Sequence, residues 1–356
     1  MQNPFTTTFS KAPEYTYIHT EKTEEILRNL NYDSPTESIY KITGVRGSGK
    51  TVILAKVEAE LRSEEYRKKG WVVFDLNPTR DMLRQVAAML VEEGFGKRKG
   101  KSKSVNASLS ILGTGGGFGI SKEEDDTSAD IGVRIEGMIQ EAQKKGKKIF
   151  IGIDEVSKTP EMMRFASEFG RWIRAVYPVF LVCTGLYENI MEVSNVKNLT
   201  FFRRARTVRT EPLNVVRMAD MYRRQLKVEI ADARSLAEIT KGYAYAFQLL
   251  GVLYFNKKED ETLEDDVIPS LKFELFTYSY EKIWEELSEG DRALVRLLAG
   301  QEEYKREEIL SLMGDKKGNY SMYRDRLINR GLVTVRQGYI SLSLPFFADY
   351  IHEYSL

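Results

Sequence analysis

Residues 44–51 read Gly44-Val45-Arg46-Gly47-Ser48-Gly49-Lys50-Thr51. The run fits the phosphate-loop pattern of Gly, four residues, Gly, Lys and Ser or Thr, and it follows a β-prone run and precedes an amphipathic helix, as that pattern requires. The glycines permit backbone conformations that aim successive N–H groups at one point, and the helix N-terminus adds a positive dipole end. The stretch therefore predicts a site for nucleotide phosphates, with Lys50 at the β- and γ-phosphates and Thr51 on Mg²⁺.

Apolar runs alternate with helical patterns on both sides of this loop. The amphipathic helix after the loop is predicted from Val52 to about Lys68, and a second helix from about Arg80 to Glu93. This alternation predicts an α/β fold with a doubly wound parallel sheet and right-handed crossovers. Five strands are expected, at Ser38–Thr43, Trp71–Leu76, Lys147–Ile153, Val179–Thr184 and, at the sheet edge, Arg206–Arg209.

Two carboxylates end the third apolar run, at Asp154 and Glu155. Asp154 is expected to bind Mg²⁺ through its water shell, and Glu155 to polarise an attacking water as general base. The plainer alternative is a helix-capping acid after a buried strand. If the first interpretation holds, the consequence is hydrolysis, because a nucleotide switch that lacks the base has no need of Glu155.

Polar side chains also stand at the end of the fourth strand and before the fifth. Thr184 is a candidate to orient the water or to contact the γ-phosphate, and a turn residue at a strand end is the alternative. Arg203 or Arg204 is a candidate arginine finger that reaches the γ-phosphate of a neighbouring subunit. Arginines that merely solvate an edge strand are the alternative for this pair.

The chain divides by pattern into three parts. Residues 1–212 form the phosphate-loop core, with an inserted basic β-hairpin at about 97–126. Residues 213–287 lose the strand pattern and are predicted to be a helical lid and linker. Residues 288–356 show three helices and a β-ribbon, an order that describes a winged helix-turn-helix.

Composition excludes several classes of protein. The charge sums to +1 at pH 7, so any attraction to nucleic acid or to a membrane needs a local patch. One Cys and two His residues predict no internal disulfide and no structural metal site, and they fit a reducing cytoplasm. No uncharged stretch is both long and apolar enough for a membrane helix, so no membrane partner is expected.

Together these motifs resemble the AAA+ and STAND branches of the phosphate-loop (ASCE) ATPases, most closely the archaeal-ATPase and origin-recognition-like families. The segment Gly242–Gln248 looks like their second sensor region but has neither the arginine of AAA+ initiators nor the proline of STAND proteins, so both branches stay open. The resemblance implies ATP and Mg²⁺ as cofactors, and adenine held by the N-terminal segment, where His19-Thr20-Glu21 replaces the usual Gly-Arg pair. The implied nucleotide contacts are Gly44, Arg46, Gly47, Ser48, Gly49, Lys50, Thr51 and Val52.

The resemblance implies an Mg²⁺-dependent ATPase that oligomerises and engages DNA, as an initiator, a loader or a mobile-element protein. The expected DNA contacts are the basic run 97–103 and residues 316–330, although the run also fits a solvated loop and winged helices also dock proteins. The alternative is a STAND-like signalling or defence switch that acts through a protein partner. A metabolic kinase is disfavoured because no acceptor-substrate domain is evident. Within 316–330 the named side chains are Lys316, Lys317, Asn319, Arg324 and Arg326.

Overall fold

Five strands form a parallel sheet. They are β1 (Ile39–Thr43), β2 (Trp71–Leu76), β3 (Lys148–Ile153), β4 (Val179–Gly185) and β5 (Arg206–Arg209). In the computed structural model their spatial order is β2-β3-β4-β1-β5, so the strand that leads into the phosphate loop lies between β4 and β5. The predicted α/β class with a parallel sheet is confirmed.

The structure describes residues 2–8, 12–96 and 128–354. The basic run 97–103 and the hairpin predicted at about 97–126 lie outside these ranges. By its internal packing the chain forms two compact units, one of residues 29–41 and 57–206, and the other of residues 1–28, 42–56 and 207–356. The domain boundaries expected near residues 212 and 287 stay predictions.

The unit of residues 29–41 and 57–206 is built around the apolar strands β2, β3 and β4. β4 is buried along its whole length, as expected when both faces of a parallel strand are covered. Its Cys183 is fully buried, and the thiol lies 3.7 Å from the carbonyl oxygen of Tyr40. The helices in the described residues up to 204 are α1 (Glu21–Leu30), α2 (Lys50–Leu61), α3 (Glu64–Lys68), α4 (Met82–Glu92), α5 (Ser128–Lys144), α6 (Pro160–Arg174), α7 (Tyr187–Ser194) and α8 (Thr200–Arg204).

The single helix predicted from Val52 to about Lys68 is wrong in its second half. The structure ends α2 at Leu61 and starts α3 at Glu64. Ser63 between them has an extended backbone, with φ −61° and ψ 158°, as is usual for the residue that precedes a helix. The Ser63 side chain makes no capping hydrogen bond, so the break between the two helices is a backbone feature that apolar spacing does not show.

The second unit holds the helices after residue 212. These are α9 (Val215–Leu226), α10 (Ile230–Ile239), α11 (Ala244–Asn256), α12 (Ile268–Leu275) and α13 (Glu281–Glu285), with π-helical turns at Leu263–Val267 and Phe276–Tyr280. The N-terminal segment is anchored here, because the Phe5 ring packs 5.6 Å from Tyr222 and 5.9 Å from Phe247, between ring centroids. Gly251 on α11 leaves the space for this ring, since a Cβ at that position would collide with it.

The C-terminal elements occur in nearly the predicted order. They are α14 (Glu289–Leu298), β6 (Tyr304–Lys305), α15 (Arg306–Met313), α16 (Tyr320–Arg330), β7 (Val333–Arg336), β8 (Tyr339–Leu342) and α17 (Phe347–Tyr354). The two-residue strand β6 and the last helix α17 were not predicted, and the antiparallel sheet order is β6-β8-β7. The interpretation of this region as a winged helix-turn-helix stays a prediction.

Candidate functional site

The phosphate-loop sequence forms a tight turn directly before α2. Gly47 and Gly49 have φ of +74° and +89°, values in the left-handed region that favours glycine. The first helical hydrogen bond runs from the Ile53 amide to the Gly49 carbonyl, 3.0 Å, so the earlier amides lie at the positive end of the helix. This is the backbone arrangement that suits an anion.

Lys50 turns its side chain back along the loop. Its Nζ donates to the carbonyl oxygens of Gly44 and Val45, both at 3.0 Å. Ser48 on the same loop is held from the other side, because its Oγ accepts from Oγ1 of Thr210 at 2.8 Å. The Lys50 ammonium therefore lies against the backbone of the loop, and the hydrogen bond from Thr210 holds the loop at Ser48.

The segment Gly242–Gln248 contacts the loop through main-chain carbonyls, all within one unit. The Tyr243 hydroxyl donates to the Arg46 carbonyl at 2.7 Å, and the Tyr245 amide donates to the Gly47 carbonyl at 3.1 Å. The Tyr243 oxygen also lies 2.8 Å from Oγ of Ser279, in the π-helical turn 276–280. Two tyrosines thus contact the loop from the segment that lacks the sensor arginine or proline named in the sequence analysis.

The Arg46 side chain reaches the segment that leads to the C-terminal elements. Its Nη2 lies 3.4 Å from Oε1 of Glu286, a weak ion pair. Its Nε is buried and has no hydrogen-bond partner among the described residues. An unsatisfied buried donor beside the phosphate loop suits a ligand that brings acceptor oxygens.

We expect Tyr243→Phe to lower the free energy of unfolding by about 1–3 kcal/mol, because it leaves the Arg46 carbonyl and the Ser279 hydroxyl without their partner. Urea unfolding followed by circular dichroism measures the change. Tyr254→Phe is the matched control, since the Tyr254 hydroxyl makes no hydrogen bond in the described part of the chain. Equal stability of wild type and Tyr243→Phe would contradict the prediction.

The carboxylates and Thr184 meet in the other unit, at the carboxyl ends of β3 and β4. The Thr184 hydroxyl donates to Oδ1 of Asp154 and accepts from the Glu155 amide at 3.1 Å. Thr184 is fully buried, whereas Glu155 is exposed and has a φ of +55°. One hydroxyl therefore fixes the turn that carries both carboxylates, and the role of Thr184 at the water or the γ-phosphate stays a prediction.

Glu58 is a buried carboxyl that the sequence analysis missed. It lies on the second half of α2 with 7% of its surface exposed, and its Oε2 accepts from Arg62 at 3.1 Å while Oε1 has no hydrogen-bond partner among the described residues. Burial, together with the carboxylates of Asp75 and Asp154, raises the pKa of Glu58 to about 7, against the opposing effect of Arg62. No motif marks the residue, because the burial comes from tertiary packing.

This raised pKa predicts a pH-dependent stability. The carboxyl of Glu58 keeps its proton up to about pH 7 in the folded chain and loses it near pH 4.5 when unfolded. The contribution of Glu58 to the free energy of unfolding is therefore largest below pH 4.5. It falls as the pH rises from 4.5 to about 7, by about 3 kcal/mol in total. We expect Glu58→Gln to gain stability relative to wild type across that range in urea unfolding. Glu60→Gln, at an exposed position on α2, is the control, and a difference that does not change with pH would contradict the prediction.

The arginines and the basic residues of α16 have different surroundings. Arg203 and Arg204 end the short helix α8 and are exposed. On α16, Arg324 pairs with Asp325 at 2.7 Å. Arg326 pairs with the fully buried Asp291 at 2.8 Å and also donates to Ser288, so it links α16 to the start of α14.

None of the helices in the described ranges is long and apolar enough to cross a membrane. Nor do those ranges contain a cluster of three or more His, Cys, Asp or Glu side chains that could hold a metal ion by themselves. An Mg²⁺ held mainly by phosphate oxygens and water, with one or two side chains, needs no such cluster.

Three comparisons place the chain among known proteins. A family model described as "Domain of unknown function (DUF8462)" matches residues 278–351, and no curated protein shows significant sequence similarity to the chain. A Walker-type ATPase of Pyrococcus abyssi superposes with a TM-score of 0.59 at 11% identity, over 93% of this chain and 95% of that one. The ORC2 protein of Aeropyrum pernix, solved in ADPNP-ADP complexes, gives 0.58 at 14% identity, over 97% and 96%. The chain therefore shares the fold of these two proteins.

Proposed function

We propose that the protein is an Mg²⁺-dependent ATPase of the AAA+ type. The observation that carries the proposal is the glycine turn at the start of α2, with Lys50 and the left-handed Gly47 and Gly49. Gly44, Arg46, Ser48 and Val52 would complete the phosphate contacts. Thr51 and Asp154 would hold the Mg²⁺, which would supply electrostatic stabilisation of the transferring phosphoryl group.

A cavity in the same unit as the loop supports adenine as the base. It has a volume of about 460 Å³, within the usual range for small-molecule sites, and is lined by residues that include Ile18, His19 and Met221. Its wall residue Tyr17 packs against α2, because the Nζ of Lys56 lies 4.6 Å from the centre of that ring. Lys56 is six residues beyond Lys50, about 9 Å along the helix. One wall of the cavity is therefore in contact with the helix that begins at the phosphate loop.

The catalytic roles are assigned to residues of the unit of 29–41 and 57–206. Glu155 is the general base for the attacking water, since it is exposed beside Asp154 at the end of β3. Thr184 orients the carboxylate of Asp154 and holds the backbone amide of Glu155 through its hydroxyl. Nucleotide-bound crystals of the Aeropyrum pernix ORC2 protein, which shares the fold, support ATP or ADP as the ligand.

Assembly and DNA complete the proposal. Arg203 or Arg204 acts on the γ-phosphate of a second copy of the chain, and DNA binds through 97–103 or 316–330. A switch that acts through a protein partner is the second candidate. It is favoured by the ion pairs of Arg324 and Arg326, which reduce the free positive charge of α16.

The first experiment measures ATP turnover by the wild type and by Glu155→Gln, each with and without duplex or single-stranded DNA at low salt. Light scattering follows the mass in parallel. DNA-stimulated turnover together with an ATP-dependent rise in mass supports an assembling, DNA-dependent ATPase. If DNA does not change turnover and Glu155→Gln stays monomeric with ATP, the proposed DNA binding and assembly are refuted. The switch that acts through a protein partner is then the favoured function. Absence of any ATP turnover refutes the proposed activity itself.

We expect Arg203→Ala or Arg204→Ala to reduce turnover by about 10³-fold in the assembled form alone, since arginine fingers contribute at least that much. Turnover measured above and below the assembly concentration separates this effect from damage to the fold. Arg164→Ala, on the exposed side of α6, is the control. An equal loss in a verified monomer would mean that the arginine acts within its own subunit.

A further inference from the structure

A buried lysine lies inside the unit that carries the two arginines. Lys41, in the middle of β1, is 3% exposed. Burial of a cation is costly unless polar partners compensate it, and in the described part of the chain no carboxylate lies within ion-pair distance of Lys41. Burial accordingly lowers the pKa of the Lys41 amine. An apolar side chain would fill the interior of a strand at a smaller cost, so the lysine needs another explanation.

The partners of Lys41 are at the carboxyl ends of two helices. Its Nζ donates to the carbonyl oxygen of Phe202 at 2.8 Å and lies 3.5 Å from the carbonyl oxygen of Arg203. The hydroxyl of Ser194, the last residue of α7, is also at 3.5 Å. The last carbonyls of a helix lack partners within it and carry the negative end of its dipole. The Lys41 ammonium therefore stabilises the carboxyl end of α8 from the buried side of that helix.

The held carbonyls belong to the residues that bear the arginines. Helix α8 has only five residues and ends at Arg204, so it has little internal stability of its own. Phe202 points into the core, fully buried, and Lys41 lies 5.3 Å from the centre of its ring, while Arg203 and Arg204 point outward. The direction in which the arginines leave the surface is therefore set by the backbone that Lys41 contacts.

We propose that Lys41 is a positioning residue for the arginine finger of this chain, acting through the carbonyl groups of Phe202 and Arg203. The inference rests on the proposed function, since it needs an arginine that acts on a second copy. A misplacement of about 1 Å at a catalytic group costs on the order of 100-fold in rate. Loss of Lys41 is therefore expected to reduce assembled turnover by about 10- to 100-fold, with the KM for ATP nearly unchanged.

The test mixes variants in one assembly. Lys41→Met subunits keep their own catalytic site and lose the position of their finger, whereas Glu155→Gln subunits keep the finger and lose the base. We expect a mixture of the two to recover turnover, because the intact finger of one subunit serves the intact site of the other. Lys148→Met, which removes another strand lysine, at the start of β3, is the control and retains wild-type turnover without mixing.

Two results overturn the inference: wild-type turnover of assembled Lys41→Met, or a loss of turnover that Glu155→Gln subunits do not restore. If Lys41→Met does not fold, as judged by circular dichroism, Lys41→Gln replaces it and is judged by the same mixture. Failure of the proposed function looks different. Arg203→Ala and Arg204→Ala then both turn over at the wild-type rate, and the finger and the role of Lys41 fall together. If mixing with Glu155→Gln subunits restores the turnover of the arginine variants but not that of Lys41→Met, the role of Lys41 alone is refuted.

Discussion

Lys50→Ala is expected to abolish ATP binding at micromolar concentrations, with an affinity loss of about 100-fold or more. The side chain supplies the cation of the loop, and hydrogen bonds between charged groups contribute about 1.5–3 kcal/mol each. The same Nζ also donates to the Gly44 and Val45 carbonyls, so alanine loosens the turn as well. Both effects act in the same direction, since a looser loop pays more entropy to hold its ligand.

Titration with a fluorescent ATP analogue measures this loss, with calorimetry as the second method. Lys68→Ala is the matched control, because that lysine is exposed on α3 and pairs only with Glu64 at 2.7 Å. We expect the control to bind with wild-type affinity. Binding of wild-type strength by Lys50→Ala, with the fold intact by circular dichroism, would remove the phosphate-loop role from residues 44–51.

Glu155→Gln is expected to bind ATP normally and to slow hydrolysis by about 10²- to 10⁴-fold, the usual contribution of a general base. The substitution changes no volume and leaves the amide of residue 155 bonded to Thr184. Glutamine also meets the same left-handed backbone, φ +55°, so the turn has no new reason to rearrange. The variant therefore separates the chemical step from binding and from stability.

Single-turnover hydrolysis, together with recovery of bound ATP after gel filtration, tests this variant. Glu161→Gln, in the first turn of α6, is the control and should hydrolyse ATP at the wild-type rate. If Glu155→Gln turns over at that rate too, the base lies elsewhere. If it fails to bind ATP, the exposed carboxylate has a role in binding that the proposed mechanism does not contain.

The sheet and the phosphate loop could be predicted from the sequence because each is encoded by residues that are adjacent in the chain. A run such as Trp71–Leu76 is apolar along its length, since a parallel strand is covered on both sides, and the structure reproduces its bounds. The phosphate loop is equally local, because its glycines are required by backbone angles. The two-residue strand β6 is too short to show any period, and the break between α2 and α3 is a change of backbone conformation at Ser63 that apolar spacing does not show.

The parts of the candidate site that escaped prediction depend on tertiary packing. The segment Gly242–Gln248 has no arginine or proline that would mark it as a sensor. The contact of its Tyr243 hydroxyl with the Arg46 carbonyl involves a backbone atom that no motif specifies. Glu58 and Lys41 are ordinary charged residues in the sequence, and only the fold buries them. The link that Arg326 makes to α14 likewise required the buried Asp291.

The environment of Cys183 has a practical consequence. It is the one cysteine of the chain, and burial raises the pKa of its thiol to about 12, so it reacts poorly with maleimides at neutral pH. A cysteine introduced on the surface should then be labelled alone, with no need for a cysteine-free background. A dye at exposed position 197, between α7 and α8, would let fluorescence energy transfer report on how copies of the chain meet.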